Sequence, residues 1–141
     1  MKLKTIMIAA LAASMPLASI AGMVQPRKVV VDLVALTADG DMLTSRTDGT
    51  KNTFIGCGLR KIEDGAGGIL NFGFCQAEDA EEEKIICFTQ NPDLLDAIDA
   101  ISDSSYVTFS WELDEEKNAN CTRIGVSTQS FYLGKHVEGN I

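Results

Sequence analysis

Between Lys84 and Leu113 the chain changes its apolar period twice, and this limits the possible folds more than any other stretch. Lys84-Ile-Ile-Cys-Phe-Thr-Gln90 is a short apolar run of β-branched and aromatic residues, which reads as a strand. Asn91-Pro92-Asp93 then starts a helix: Asn91 suits the N-cap, Pro92 the first helical position, and Asp93 the positive end of the dipole. From Leu94 the period is helical. Leu94, Leu95, Ile98 and Ile101 share one face, and Asp93, Asp96, Asp99 and Asp103 lie away from it. Ser102-Asp103-Ser104-Ser105 ends the helix, predicted over about 92–101. The period then falls to two, with Val107, Phe109, Trp111 and Leu113 on one side and Tyr106, Thr108, Ser110 and Glu112 on the other. Trp111 therefore reads as a packing residue.

The N-terminus has the three-part pattern of an export leader. Lys2 and Lys4 precede an apolar core from Ile6 to Ala18, and Ser19-Ile20-Ala21 supplies small residues for cleavage. The apolar run is shorter than the roughly 20 residues needed to span a bilayer. A signal peptide over 1–21 leaves a single secreted or periplasmic domain over 22–141, with no transmembrane segment and a polar tail over 134–141. The leader holds two of the 12 basic residues and none of the 20 acidic ones, so the mature chain sets 10 basic against 20 acidic groups, a net charge of about −10. Such a surface disfavours nucleic acid.

All four cysteines (Cys57, Cys75, Cys87, Cys121) lie in the mature chain, and an even count in an exported protein reads as two disulfides. Cys75 and Cys87 flank the acidic loop Gln76–Glu83, whereas Cys57 and Cys75 flank the Asp64-Gly-Ala-Gly-Gly68 turn. Either pair can face across a hairpin. The expected pairing is Cys75–Cys87 with Cys57–Cys121, because the second bond would tie an early strand to the last one.

Arg27–Leu36 is β-branched on both faces apart from Asp32 and suits a central strand covered on both sides. Thr37–Asp41 reads as a turn, and Thr44–Asn52 as a polar connection. Thr53–Leu59 is a strand whose Gly56 and Gly58 leave one face bare, a sign of a bulge or a close backbone approach. Ile69–Gln76 is a strand with Leu70, Phe72 and Phe74 on one side, and Thr122–Leu133 is a last extended segment.

The fold class is mostly β (α+β): a small antiparallel sandwich or barrel of five to six strands, with one short helix before the last two. The order of elements resembles an OB-like barrel, whose helix lies between its third and fourth strands; here the helix follows the fourth.

No catalytic set emerges. His136, the only histidine, sits in the polar tail, Gly-x-Ser-x-Gly is absent, and Gly65–Gly68 lacks the Lys-Ser/Thr of a phosphate loop. No cofactor or metal is indicated. Glu81, Glu82 and Glu83 form a solvated hairpin tip that could dock a partner, and Tyr106 and Tyr132, off the Trp111 face, are the aromatic candidates for binding. The functional expectation is an acidic, disulfide-stabilised binding or structural module. Its partner would be an extracellular or periplasmic protein, a glycan, or a second copy of itself. The alternatives are a small secreted hydrolase using acids or a divalent ion, and an inhibitor of a basic extracellular enzyme.

Overall fold

A computed structural model describes residues 23–49 and 52–133. The leader expected over 1–21, the tail from 134 and His136 lie outside the described residues.

The described residues form one seven-stranded mixed sheet with two disulfides. Its strands are β1 (Val30–Asp32), β2 (Thr37–Asp41), β3 (Phe54–Glu63), β4 (Ile69–Glu78), β5 (Lys84–Thr89), β6 (Tyr106–Leu113) and β7 (Ala119–Ser127). Helix α1 (Met42–Thr47) follows β2, helix α2 (Pro92–Asp99) lies between β5 and β6, and a 3-10 turn covers Ser130–Tyr132. The order across the sheet is β1-β2-β6-β7-β5-β4-β3, antiparallel throughout except between β5 and β7.

The apolar run Arg27–Leu36 is not a central strand. Asp32 breaks it, because its carboxylate accepts the N–H groups of Val34 (2.9 Å) and Ala35 (2.7 Å) and folds the backbone into a turn that ends with Leu36 at φ 56°. The three residues before the break become the sheet-edge strand β1, and Thr37–Asp41, expected as a turn, becomes its partner β2. Asp41 is buried and caps α1 by accepting from Thr44 N–H, which places a helix in the segment expected to be a polar connection. With Thr37–Asp41 as a strand, the strands number seven. Counted from β3, α2 lies between the third and fourth strands, the placement an OB-like barrel requires, and β1–β2 is a hairpin added in front of that unit.

The helix expected after Asn91 forms as α2. Asn91 Oδ1 accepts from Asp93 N–H at 2.9 Å, Pro92 opens the helix, and Leu95 and Ile98 are buried. The helix ends at Asp99, where Ala100 caps it, two residues before the expected stop. Val107, Phe109 and Trp111 are buried in the core with Val29, Val31, Ala38, Ile55, Ala77 and Ile124.

The disulfides are Cys57–Cys75 and Cys87–Cys121, which overturns the expected pairing. The register explains the error: Cys75 lies directly opposite both Cys57 on β3 and Cys87 on β5, so hairpin geometry permits either bond. Cys87 instead bonds Cys121 on β7, its other neighbour in the sheet.

Helix α2 packs so tightly on β4 that a Cβ built on Gly73 would lie 2.5 Å from Ile98 Cδ1 and 2.9 Å from Leu95 Cδ2. Gly73→Val is therefore expected to cost about 1–3 kcal/mol, the usual range for overpacking. Urea unfolding at constant m-value measures this. An unchanged midpoint would contradict the packing.

Candidate functional site

Antiparallel pairing sorts the side chains of β3, β4 and β5 onto two faces. Ile55, Cys75, Ala77 and Cys87 face the core. Opposite them, the register aligns Gly58, Phe74 and Phe88 in one row, Arg60 with Phe72 in the next, and Ile62 with Leu70 beyond. This second face is the outward one. The side of β4 carrying Leu70, Phe72 and Phe74 thus points away from the core, whereas Gly73, Cys75 and Ala77 point into it.

The outward face is continuous and aromatic. Phe88 lies 6.4 Å from both Phe72 and Phe74 between ring centroids, and the Arg60 guanidinium sits 5.0 Å from the Phe74 ring. Gly58 makes room for that ring, since a Cβ there would stand 2.9 Å from Phe74 Cζ; the neighbour is a side chain and not the backbone expected, and Gly56 faces open space. Ile62, Leu70, Ile86, Phe88 and Leu113 are each 43–52 % exposed. With the Phe72 and Phe74 rings, Ile62, Leu70, Ile86 and Phe88 give the outward side of β3, β4 and β5 an apolar strip. At the end of β5, Lys84 lies 3.0 Å from Glu78 and 5.1 Å from the Phe54 ring.

A cleft of about 620 Å³ adjoins this face, with Lys84, Ile86 and Phe88 on one wall and Leu113, Lys117 and Asn120 on the other. A second hollow of about 380 Å³ shares Phe88 and Asn120 with it and reaches Phe72 and Gln90. The cleft exists because β5 and β7 pair at only one register position, Phe88↔Asn120, and diverge from there.

The acids are used differently from the expectation of a solvated run. Three hairpins share one loop design, each opened by an aspartate. Asp64 accepts from the N–H groups of Ala66 and Gly68, Asp79 from those of Glu81 and Glu83, and Asp114 from those of Glu116 and Asn118. In each, the residue three positions later has positive φ: Gly67 at 88°, Glu82 at 67° and Lys117 at 65°. Asp79 is moreover only 6 % exposed, and its Oδ2 accepts from Val31 N–H at 3.1 Å, joining the β4–β5 loop to strand β1. Asp79→Ala leaves these N–H groups without their acceptor and is expected to cost about 1–3 kcal/mol. Chemical denaturation measures it, and a loss near zero would contradict the tie.

At Asp114, the Asn118 side chain, then the N–H of Asn118 and that of Glu116, hold the carboxyl below the ordinary range. A depressed folded value means that the loop's order is present above the ordinary carboxylate range and is lost as pH falls through the depressed value. The amide resonances of Glu116 and Asn118 should shift on acidification through that range. Resonances constant throughout would contradict the bond assignment.

The structure brings Tyr106 and Tyr132 together, stacked at 5.3 Å and 11° and both half-buried. Tyr106 Oη donates to Asp39 Oδ2 at 3.1 Å, Arg27 Nε donates to the same oxygen at 2.9 Å, and Gln25 N–H reaches Phe131 O at 2.9 Å. Burial, then the Asp39 charge, pushes the Tyr106 hydroxyl up, and the bond to Asp39 raises Arg27. The tyrosine pair joins the final 3-10 turn to β6, and the Gln25–Phe131 bond joins it to the N-terminal arm. Glu81, Glu82 and Glu83 are exposed at the β4–β5 tip, apart from the tyrosine pair. The residues that sequence reasoning did not single out are Phe72, Phe74, Phe88 and Ile86. Their signal was present as an alternating run, and only the question of which face is core stood open.

Among the described residues no group of three or more His, Cys, Asp or Glu is placed to hold a metal ion, and no helix is long and apolar enough to cross a membrane. No protein-family model, curated protein or solved structure matches the chain significantly.

Proposed function

We propose that the chain is a secreted or periplasmic, disulfide-stabilised binding module that holds an extracellular partner on the outward face of β4 and β5. One observation carries this reading: the side chains of Leu70, Phe72, Phe74, Ile86 and Phe88 form an apolar surface on β4 and β5 that no element among the described residues covers, with Leu70, Ile86 and Phe88 exposed and Phe72 and Phe74 half-buried. The leader pattern supports export, and two disulfides are compatible with it. The acids most engaged by the fold, Asp41 and Asp79, make backbone bonds, which turns attention from acid chemistry to the apolar face.

The test compares the immobilised mature protein with its Phe72→Ser/Phe88→Ser variant, each exposed to the extracellular fraction of the producing cells. The expected result is a species retained by the native protein and lost by the variant, which stays folded with both disulfides formed. If that species is the chain itself, the module is an assembly subunit. Equal retention by both proteins would contradict the reading.

A further inference from the structure

The free edge of β5 adds the chemistry of the ligand to the binding-module reading, on which this inference rests. β5 pairs with β4 along its whole length, from Gly73↔Thr89 to Glu78↔Lys84. With β7 it pairs only at Phe88↔Asn120, so Lys84–Ile86 presents a backbone edge with no strand partner among the described residues. The residues that would extend the parallel ladder toward Lys84 are those of the β6–β7 loop. Their N–H groups are already used: Glu116 and Asn118 donate to Asp114 Oδ1, and Lys117 donates to Asp114 O. The loop therefore cannot close the sheet, and the cleft of about 620 Å³ remains between it and β5. That volume lies within the roughly 300–1,000 Å³ of ordinary ligand clefts.

We propose that this cleft receives an extended peptide segment, which adds as a strand to the Lys84–Ile86 edge. An unpaired strand edge offers N–H and C=O groups at the strand repeat, and another extended main chain is the ligand that matches them. The walls suit alternate side chains of such a segment: Ile86 and Phe88 face outward, Ile85 lies on the opposite side of β5, and Leu113, 52 % exposed, stands across the gap. Among the described residues Phe88 is the only ring lining the cleft, so a sugar would find a single stacking platform. Charge selects further. Lys84 is paired with Glu78, and the Asp114 carboxylate on the same wall is taken up by the N–H groups of its own loop, whereas Lys117 makes no ion pair among the described residues, so a carboxylate on the segment meets Lys117.

The test is selection of a phage-displayed library of linear random heptapeptides on the mature, oxidised protein. Enriched peptides are then synthesised and titrated against the 15N-labelled protein. The expected peptides alternate apolar residues and include an acid, and they shift the amides of Lys84–Ile86 and Leu113–Asn120. N-methylation at alternate peptide amides weakens them about tenfold, as loss of a strand hydrogen bond with a steric clash requires. Lys117→Glu, at an exposed position, weakens them several-fold while leaving the fold unchanged. Enrichment no greater than on a Leu113→Asp variant would overturn the proposal. So would affinity insensitive to methylation at every amide, or saturation of the cleft by a glycan from a glycan array. A partner captured through Phe72 and Phe88, with no peptide enriched, would overturn strand addition and leave the binding module standing.

Discussion

Replacing Cys87 and Cys121 by alanine should lower the unfolding free energy by about 4 kcal/mol, and replacing Cys57 and Cys75 by about 3 kcal/mol, in the chain-entropy model. The two losses differ because the first bond closes a loop of 34 residues and the second one of 18. The first bond also has a local task. It joins β5 to β7 where the ladder between them has one register pair, and the enclosed loop contains α2 and β6. With both bonds removed the loss approaches about 7 kcal/mol, comparable with the whole stability of a small domain, about 5–15 kcal/mol. Urea unfolding of the oxidised protein and the two double variants measures the losses. A loss below about 1 kcal/mol for Cys87→Ala/Cys121→Ala would show that the β5–β7 junction does not depend on its covalent bond.

Phe109→Ala and Phe88→Ala remove the same ring from opposite faces and should differ sharply. Phe109 is fully buried at the middle of β6, opposite Ala38 on β2 and Ile124 on β7, with its ring 6.0 Å from that of Trp111. Its truncation leaves a cavity that no neighbouring loop can fill, and the expected cost is about 3–5 kcal/mol. Phe88 is 44 % exposed and keeps only tilted contacts with Phe72 and Phe74, so its truncation should cost about 1 kcal/mol or less. Thermal or urea unfolding of both variants decides between the faces. Equal costs would mean that the aromatic face is a second core and not a free surface.

The stretch from Lys84 to Leu113 was legible because each boundary has a local cause: Asn91 caps, Pro92 opens, and the period changes at Tyr106. The β1–β2 region was not, because a single side chain, Asp32, outweighs the β-branched run around it by folding the backbone onto itself. The disulfide pairing was not legible either, since Cys75 faces a cysteine on each side and only the placement of β7 beside β5 decides. Alternation along β4 separated Phe72 and Phe74 from Cys75 and Ala77. Which set is buried depends on where α2 lands, and α2 lands on Gly73. The shared hairpin loops were not legible, although Asp64, Asp79 and Asp114 each stand four residues before the residue that closes the loop, Gly68, Glu83 and Asn118. Positive φ at Glu82 and Lys117, residues with no preference for it, kept the likeness hidden.

Hydroxyl-radical footprinting of the mature protein, read by mass spectrometry with and without the producing cells' extracellular fraction, tests the outward face most directly. The expected result is protection of Phe72, Phe74, Ile86 and Phe88 in the presence of that fraction, with Tyr106 and Tyr132 oxidised to the same extent in both samples. Undiminished oxidation of the four face residues, or protection confined to the tyrosine pair or to the Glu81–Glu83 tip, would contradict it.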